Sequence, residues 1–318
     1  VSNFRKTKKV SLSVLVPCFN EEKNLDAFLL RTEKTLSKIT NDYEIIFVDD
    51  GSTDQTLQTL TVLSENNLRI KIVALARNFG KETALTAGLD FVTKDLVVPI
   101  DADLQDPPEL IPEMVSLWRE GNQVVYAKRK NRKGESFLKK FTSELFYKIL
   151  NSLSEIEIPT NTGDFRLIDR TVLEDLKKIN ERNRFMKGIF AWVGHRQTYL
   201  EYNRDERYAG STKFNYPKLW KLAIEGITSF STFPLTLCTY LGLLVSCMTF
   251  AYGLFVFVKT MICGVEKPGY ASLIIIILFL GGVQLLSLGI IGEYLGKIYL
   301  ETKQRPLYTV SRTYGFGT

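Results

Sequence analysis

Residues 96–108 read LVVPIDADLQDPP, an apolar run that breaks into three aspartates, a glutamine and two prolines. Leu96, Val97 and Val98 suit a strand buried on both faces, and Pro107 and Pro108 suit the first turn of a following helix. Crowded carboxylates repel one another unless something cationic neutralises them. In an extended chain Asp101 and Asp103 point the same way, with the small Ala102 between them. Hard divalent ions such as Mg²⁺ or Mn²⁺ take oxygen ligands and keep places for water and substrate phosphates, and Gln105 offers an amide oxygen. The competing reading is an acidic surface turn in which Asp106 or a neighbour caps the helix.

The rest of the first half decides between them. Leu12–Val16, Tyr43–Val48, Ile70–Leu75, Leu96–Ile100 and Gln123–Tyr126 have strand character, and 22–37, 55–64 and 81–91 carry helical patterns between them. That alternation predicts an α/β doubly wound sheet with mostly parallel strands. Ligands in such sheets lie beyond the carboxyl ends of the strands. Those ends read PCFNEE (17–22), VDDGSTD (48–54), LARNFGK (75–81) and IDADLQD (100–106). Four polar, largely acidic strand ends favour a ligand site over a surface turn. In VDDGSTD, Thr53 and Asp54 are assigned to capping the next helix, and Asp49, with Asp50 as a further candidate, to hydrogen bonds with a ribose or base.

Neither G-x-G-x-x-G after the first strand nor G-x-x-x-x-G-K-[ST] is present, which removes the main support for nicotinamide-cofactor and P-loop readings. The one histidine, His195, cannot build a metal cluster alone. The four cysteines, Cys18, Cys238, Cys247 and Cys263, form no C-x-x-C pair, which argues for a reducing compartment. VSNFRKTKKV at the start has basic residues but no long apolar segment behind it, and so does not read as a signal peptide.

Charge nearly vanishes from Phe233 to Val258 and from Tyr270 to Gly292, lengths that suit two transmembrane helices. Gly242, Gly253, Gly281, Gly282 and Gly289 are tolerated in lipid and would weaken a soluble helix. Lys and Arg are concentrated before Phe233 and after the second span, at Lys297, Lys303, Arg305 and Arg312. The expectation is an integral protein of a bacterial inner membrane with both termini and the catalytic domain cytoplasmic. A net charge of +6 is compatible with an anionic leaflet. Small residues in the spans allow close helix packing, and hence a homo-oligomer.

VPCFNEE, VDDGSTD, ARNFGKETALTAGLD, DADLQDPPE, GDFRL and RYAGSTKF, followed by two spans, resemble a family 2 glycosyltransferase with the nucleotide-binding GT-A fold. Within it the chain is similar to polyprenyl-phosphate glycosyltransferases, bacterial relatives of dolichol-phosphate mannose synthase, and above all the bactoprenol glucosyltransferases. The resemblance implies that Pro17, Phe19, Glu21 and Asp49 hold the nucleotide, that Asp101 lies against it, and that Asp103 and Gln105 ligate Mg²⁺ or Mn²⁺ at the pyrophosphate. It implies that Arg207, Ser211 and Lys213 close over phosphate groups, with Thr212 an alternative hydroxyl to Ser211, and that Arg129 faces the acceptor phosphate. By its place in GDFRL, Asp164 approaches the sugar or acceptor. The implied partners are a nucleotide-diphosphate sugar, a polyprenyl phosphate and the membrane, not nucleic acid.

The expected organisation is a catalytic domain over 1–214, a juxtamembrane amphipathic helix over 215–232, a two-helix hairpin over 233–300 and a cytoplasmic tail over 301–318. The departing diphosphate needs a divalent ion and cationic side chains, with Asp103 and Arg207 as catalytic candidates. A lipid monophosphate has a second pKa near 6 and needs no strong base. Asp164 is therefore read as a positioning residue first and a proton acceptor second. Lys128, Arg129, Lys130, Arg132, Lys133, Lys139 and Lys140 either attract lipid phosphate or form a solvated basic face. The apolar stripe Phe137, Phe141, Leu145 and Phe146 suits core packing or membrane contact. A processive polysaccharide synthase would show Q-x-x-R-W and more spans, and neither is present. UDP-glucose and undecaprenyl phosphate are the first choice of substrates. GDP-mannose, a UDP-aminoarabinose derivative and a catalytically silent nucleotide-sugar binder are the alternatives.

Overall fold

The computed structural model describes residues 9–130, 148, 151–152, 159–179, 181–182, 184–203, 228, 231–263 and 269–316. The apolar runs become strands β1 (Leu12–Cys18), β2 (Tyr43–Asp49), β3 (Ile70–Leu75), β4 (Leu96–Pro99) and β5 (Val124–Arg129). Further along come β6 (Thr162–Asp169), β7 (Gln197–Tyr202) and β8 (Val310–Tyr314). One eight-stranded sheet has the order β7-β5-β6-β4-β1-β2-β3-β8. The pairs β1–β2, β1–β4, β2–β3 and β5–β7 are parallel, whereas β6 runs antiparallel to β4 and β5, and β8 antiparallel to β3.

Alternation along each strand divides the core into two layers. On one face Leu12, Val14 and Val16 meet helices α1 (Leu25–Leu36), α2 (Thr56–Asn66) and, after a 3-10 turn at Pro108–Leu110, α4 (Ile111–Arg119). On the other, Leu15, Ile46 and Val73 meet α3 (Lys81–Phe91), α5 (Arg170–Lys178) and α6 (Met186–Trp192). β2 is buried along its whole length, the pattern of a central strand covered on both faces.

Helices α7 (Phe233–Cys263) and α8 (Tyr270–Thr302) follow. At 31 and 33 residues they run past the expected spans, and both are long and apolar enough to cross a membrane. The windows Phe233–Val256 and Phe279–Thr302 are 0% buried, which a soluble core helix would not be. The Tyr294 hydroxyl donates to the Ser231 carbonyl at 2.7 Å, joining α8 to the chain that enters α7, and the Arg182 N–H donates to Glu301 Oε1 at 2.7 Å, joining the end of α8 to the segment between α5 and α6.

Residues 301–318, expected only as a tail, contain β8, which completes the sheet against β3. Tyr308 donates to Asp90 at 2.7 Å, and Phe316 lies 5.3 Å from Phe91 between ring centres. All but three residues of the juxtamembrane segment 215–232 lie outside the described residues.

Candidate active site

The carboxyl ends of β1, β2, β3 and β4 converge. At β1, Pro17, Phe19 and Glu21 are half-buried. Asn20 takes the left-handed conformation, with φ 57°. Its N–H donates to Ser52 Oγ at 3.0 Å, and the Glu21 N–H donates to Thr56 Oγ1 at 2.9 Å. Burial, with Glu21, Asp49 and Asp101 around it, pushes the Cys18 thiol well above its ordinary range.

At β2 the adjacent acids take different partners. Asp49 is 1% exposed and accepts from the Ser52 N–H at 3.3 Å; burial raises its pKa. Asp50 accepts the Phe79 and Gly80 N–H groups at 2.7 and 2.9 Å. Its oxygens thereby fix the β3–α3 loop, a structural role beside its reading as a further ligand candidate. The capping assignment of Thr53 is corrected, since its N–H and hydroxyl engage Asn20 rather than the helix. Asp54 lies one residue before the capping position, which is Gln55, and its carboxylate accepts from the N–H and hydroxyl of Thr56, the first helical residue. Gly51 has φ +66°, and a Cβ there would lie 2.5 Å from the Arg77 carbonyl carbon, so the β2 and β3 loops pack where a side chain has no room.

β4 stops at Pro99, and the aspartates lie in a turn rather than in extended chain. This corrects the alternation argument: the Asp101 side chain is 27% exposed, whereas Asp103 is 6% exposed. Leu104 takes φ 59°, a conformation that costs a non-glycine residue about 1–2 kcal/mol. The strained turn carries Asp103 and Gln105 on either side of it, and the Gln105 N–H donates to Asp103 Oδ1 at 3.2 Å. Asp106 does not cap the helix; it meets the Tyr202 hydroxyl and, at 3.8 Å, Arg129 Nη2. Arg129 Nε donates to the Tyr202 hydroxyl at 3.3 Å, so the expected acceptor-phosphate arginine is anchored before any phosphate arrives.

Asp164 enters from β6. β6 pairs antiparallel with β4 through Leu96↔Asp169 and Val97↔Ile168, and its first residues run on past the end of β4 towards the turn that holds Asp101. Lys81, the first residue of α3, lies between them: its Nζ is 2.7 Å from Asp101 Oδ1 and 2.6 Å from Asp164 Oδ2. Burial opposes the charge on Asp164, but Lys81, Lys187 and Arg166 outweigh it and hold the carboxyl well below its usual range. Partial desolvation opposes the charge on the half-exposed Lys81, and the two aspartates hold its pKa up. The next residue, Glu82, is pushed up to about 7 by burial and then by repulsion from Asp164. Arg166, buried and stacked 3.9 Å from the Phe190 ring centre, is drawn down to about 10, chiefly by burial.

Among the described residues no three His, Cys, Asp or Glu side chains gather as a metal cage. Asp103 and Gln105 still supply hard oxygen donors, which suits Mg²⁺ or Mn²⁺ taking its remaining ligands from water and a diphosphate. Arg207, Ser211, Thr212 and Lys213 lie outside the described residues, as do Arg132, Lys133, Lys139, Lys140 and the stripe Phe137, Phe141, Leu145 and Phe146. Sequence reasoning missed Lys81, Glu82, Arg166 and Tyr202. The only signal for Lys81 was a cation closing the polar strand end LARNFGK, where it reads equally well as the start of a helix.

Residues 13–177 match the family model described as glycosyl transferase family 2, and residues 233–298 match that described as GtrB C-terminal hairpin. An uncharacterized glycosyltransferase of Synechocystis sp. is 54% identical, over 96% of this chain and 96% of its own. A bactoprenol glucosyl transferase of Shigella phage SfX is 48% identical, over 95% of this chain and 99% of its own. A solved structure, glucosyl-3-phosphoglycerate synthase from Mycobacterium tuberculosis with Mn²⁺, uridine diphosphate and phosphoglyceric acid, aligns over 71% of this chain and 79% of that one. Its TM-score is 0.46 at 21% identity.

Proposed function

The chain belongs to glycosyl transferase family 2, and from that premise we propose that it moves glucose from UDP-glucose onto undecaprenyl phosphate, inverting the anomeric carbon. The reading is carried by Lys81 holding Asp101, at the end of β4, together with Asp164 of β6, in a chain whose sheet is rejoined after two apolar helices. Relatives named bactoprenol glucosyl transferase support the choice of sugar and carrier.

In this reading Pro17, Phe19, Glu21, Asp49 and Asp101 bind the nucleotide. Asp103 and Gln105 would hold Mg²⁺ or Mn²⁺, which supplies positive charge to the leaving diphosphate. Arg207, Ser211 and Lys213 add cationic and hydroxyl donors there, and Arg129 orients the acceptor phosphate. An acceptor phosphate oxygen forms the new bond to the anomeric carbon as the bond to the diphosphate breaks. That oxygen is already ionised at neutral pH, since the second pKa of a monophosphate is near 6. An aspartate held well below the usual carboxylate range is a poor proton acceptor, which supports Asp164 as a positioning residue.

Residues 1–214 form the catalytic part in this reading, 215–232 a juxtamembrane helix and 233–300 the hairpin. Because β8 pairs with β3, the segment after the second span lies on the same side of the bilayer as the sheet. The excess of Lys and Arg there supports the cytoplasmic side.

The test offers labelled UDP-glucose, GDP-mannose and a UDP-aminoarabinose derivative to purified enzyme with undecaprenyl phosphate and Mg²⁺ or Mn²⁺, and follows label into the organic phase. Glucose label is expected to transfer, and Asp103→Ala to slow transfer at least ~100-fold with the fold intact. Transfer of a different sugar would replace the donor assignment, and full activity in Asp103→Ala would remove the metal assignment.

A further inference from the structure

Nothing in the stability of α3 asks for a lysine at its first position. The N-terminus of a helix is its positive end, so a cation there is mildly unfavourable, and the Lys81 side chain is 45% exposed. Yet its ammonium meets three carboxylate oxygens: Asp101 Oδ1 and Oδ2 at 2.7 and 2.9 Å and Asp164 Oδ2 at 2.6 Å. The two acids come from neighbouring antiparallel segments and would repel across the gap without a cation between them. The loop that delivers Lys81 is itself fixed, because Asp50 binds the Phe79 and Gly80 N–H groups just before it. A chain of contacts therefore runs from the β2 strand end through the loop to Lys81, and from there to both acids. Asp164 spends Oδ2 on this contact, while its Oδ1 is buried without a hydrogen-bond partner among the described residues. In the proposed reading that oxygen would accept from a sugar hydroxyl.

We propose that Lys81 is a positioning residue that ties the donor-side carboxylate of Asp101 to the acceptor-side carboxylate of Asp164, so that nucleotide binding on one side sets the orientation of Asp164 on the other. The inference deepens the proposed glycosyl transfer and rests on that reading for its kinetic consequence. Lys81→Met keeps the chain length and helix propensity and removes the charge. It is expected to lower kcat for transfer about 100-fold while the Kd of UDP with Mg²⁺ changes less than about 3-fold. Lys81→Cys treated with 2-bromoethylamine restores an ammonium at nearly the same reach, and should recover at least about ten-fold of the lost rate, with alkylated wild type as control. An unchanged kcat in Lys81→Met would overturn the proposal. So would a loss of UDP affinity as large as the loss of rate, which would make Lys81 a nucleotide contact only, or a failure of alkylation to rescue.

A second readout needs no catalysis. Competitive labelling with an amine reagent, read by mass spectrometry, should find Lys81 several-fold slower than the exposed Lys34, and Asp164→Asn should speed it. If the wild type transfers no sugar while this protection holds, the transfer reading falls and the bridge stands. Equal labelling of Lys81 and Lys34, unaffected by Asp164→Asn, removes the bridge.

Discussion

The Ala76 N–H donates to the Thr309 carbonyl at 2.9 Å, joining the chain that leaves the second apolar helix to the base of the loop that carries Lys81. Beyond it β8 pairs with β3 from Leu75↔Val310 to Ile72↔Tyr314, and Gly315 closes the strand. Gly315 has φ +75°, and a Cβ there would lie 2.5 Å from the Ile70 carbonyl oxygen. Gly315→Val therefore meets both a strained backbone and a clash, together worth roughly 1–3 kcal/mol. The expected outcome is a lower melting temperature and faster hydrogen exchange in β8, with Val48 in the sheet interior unchanged. Undiminished protection of β8 would show that the tail does not depend on this turn.

The same pairing gives the proposed two-span topology a test. A strand hydrogen-bonded to the catalytic sheet cannot lie across the bilayer from it, so a cysteine at position 311 and one at position 267 are expected on opposite sides. In a background without native cysteines, an impermeant thiol reagent applied to right-side-out vesicles should label Lys267→Cys and spare Ser311→Cys. Inverted vesicles should give the reverse. Labelling of both positions from one side would contradict a two-span hairpin.

Glu82 makes stability depend on pH in an unusual direction for a carboxylate. Burial and Asp164 raise it from 4.5 to about 7, so between those values the folded state keeps a proton that the unfolded chain has released. Folding is then favoured at low pH: the contribution is fully present below about 4.5 and is lost as pH rises through about 7. The slope is at most about 1.4 kcal/mol per pH unit for one group. Asp164 acts in the opposite sense but below this window, since its carboxyl is held under the usual range. Glu82→Gln should flatten the change in unfolding free energy between pH 5 and 7; an unchanged slope would assign it to other groups.

The strands β1 to β4 and the helices between them were legible because apolar runs and helical periodicity are local properties of the chain. β8 was not, because an edge strand whose first four residues are exposed has no burial alternation to betray it. At the site, the acidic strand ends were legible as a group, but their division of labour was not. Composition cannot say which of Asp49 and Asp50 faces the cleft. The pairing of β6 beside β4 brings Asp164 towards the end of β4, and Lys81 meets a residue 83 positions away in sequence, a relation created only by topology.

Tyr202 offers the sharpest separation of acceptor from donor effects. It is 5% exposed at the end of β7, and its hydroxyl joins the Asp106 carboxylate to Arg129 Nε. Tyr202→Phe keeps the ring against Phe165 and removes only the hydroxyl. A lost hydrogen bond to a buried charged group costs about 1–3 kcal/mol, and here it also frees the guanidinium to turn. Arg129 is the group proposed to meet the incoming phosphate, whereas Asp101 and Asp49, the proposed nucleotide contacts, lie at the ends of other strands. The expected result is a KM for polyprenyl phosphate raised roughly 3–10-fold, with the KM for the nucleotide sugar nearly unchanged. Arg129→Lys should show the same split more strongly, because an ammonium cannot reproduce the planar fork. A variant whose donor KM rises instead would move Arg129 to the diphosphate side of the site.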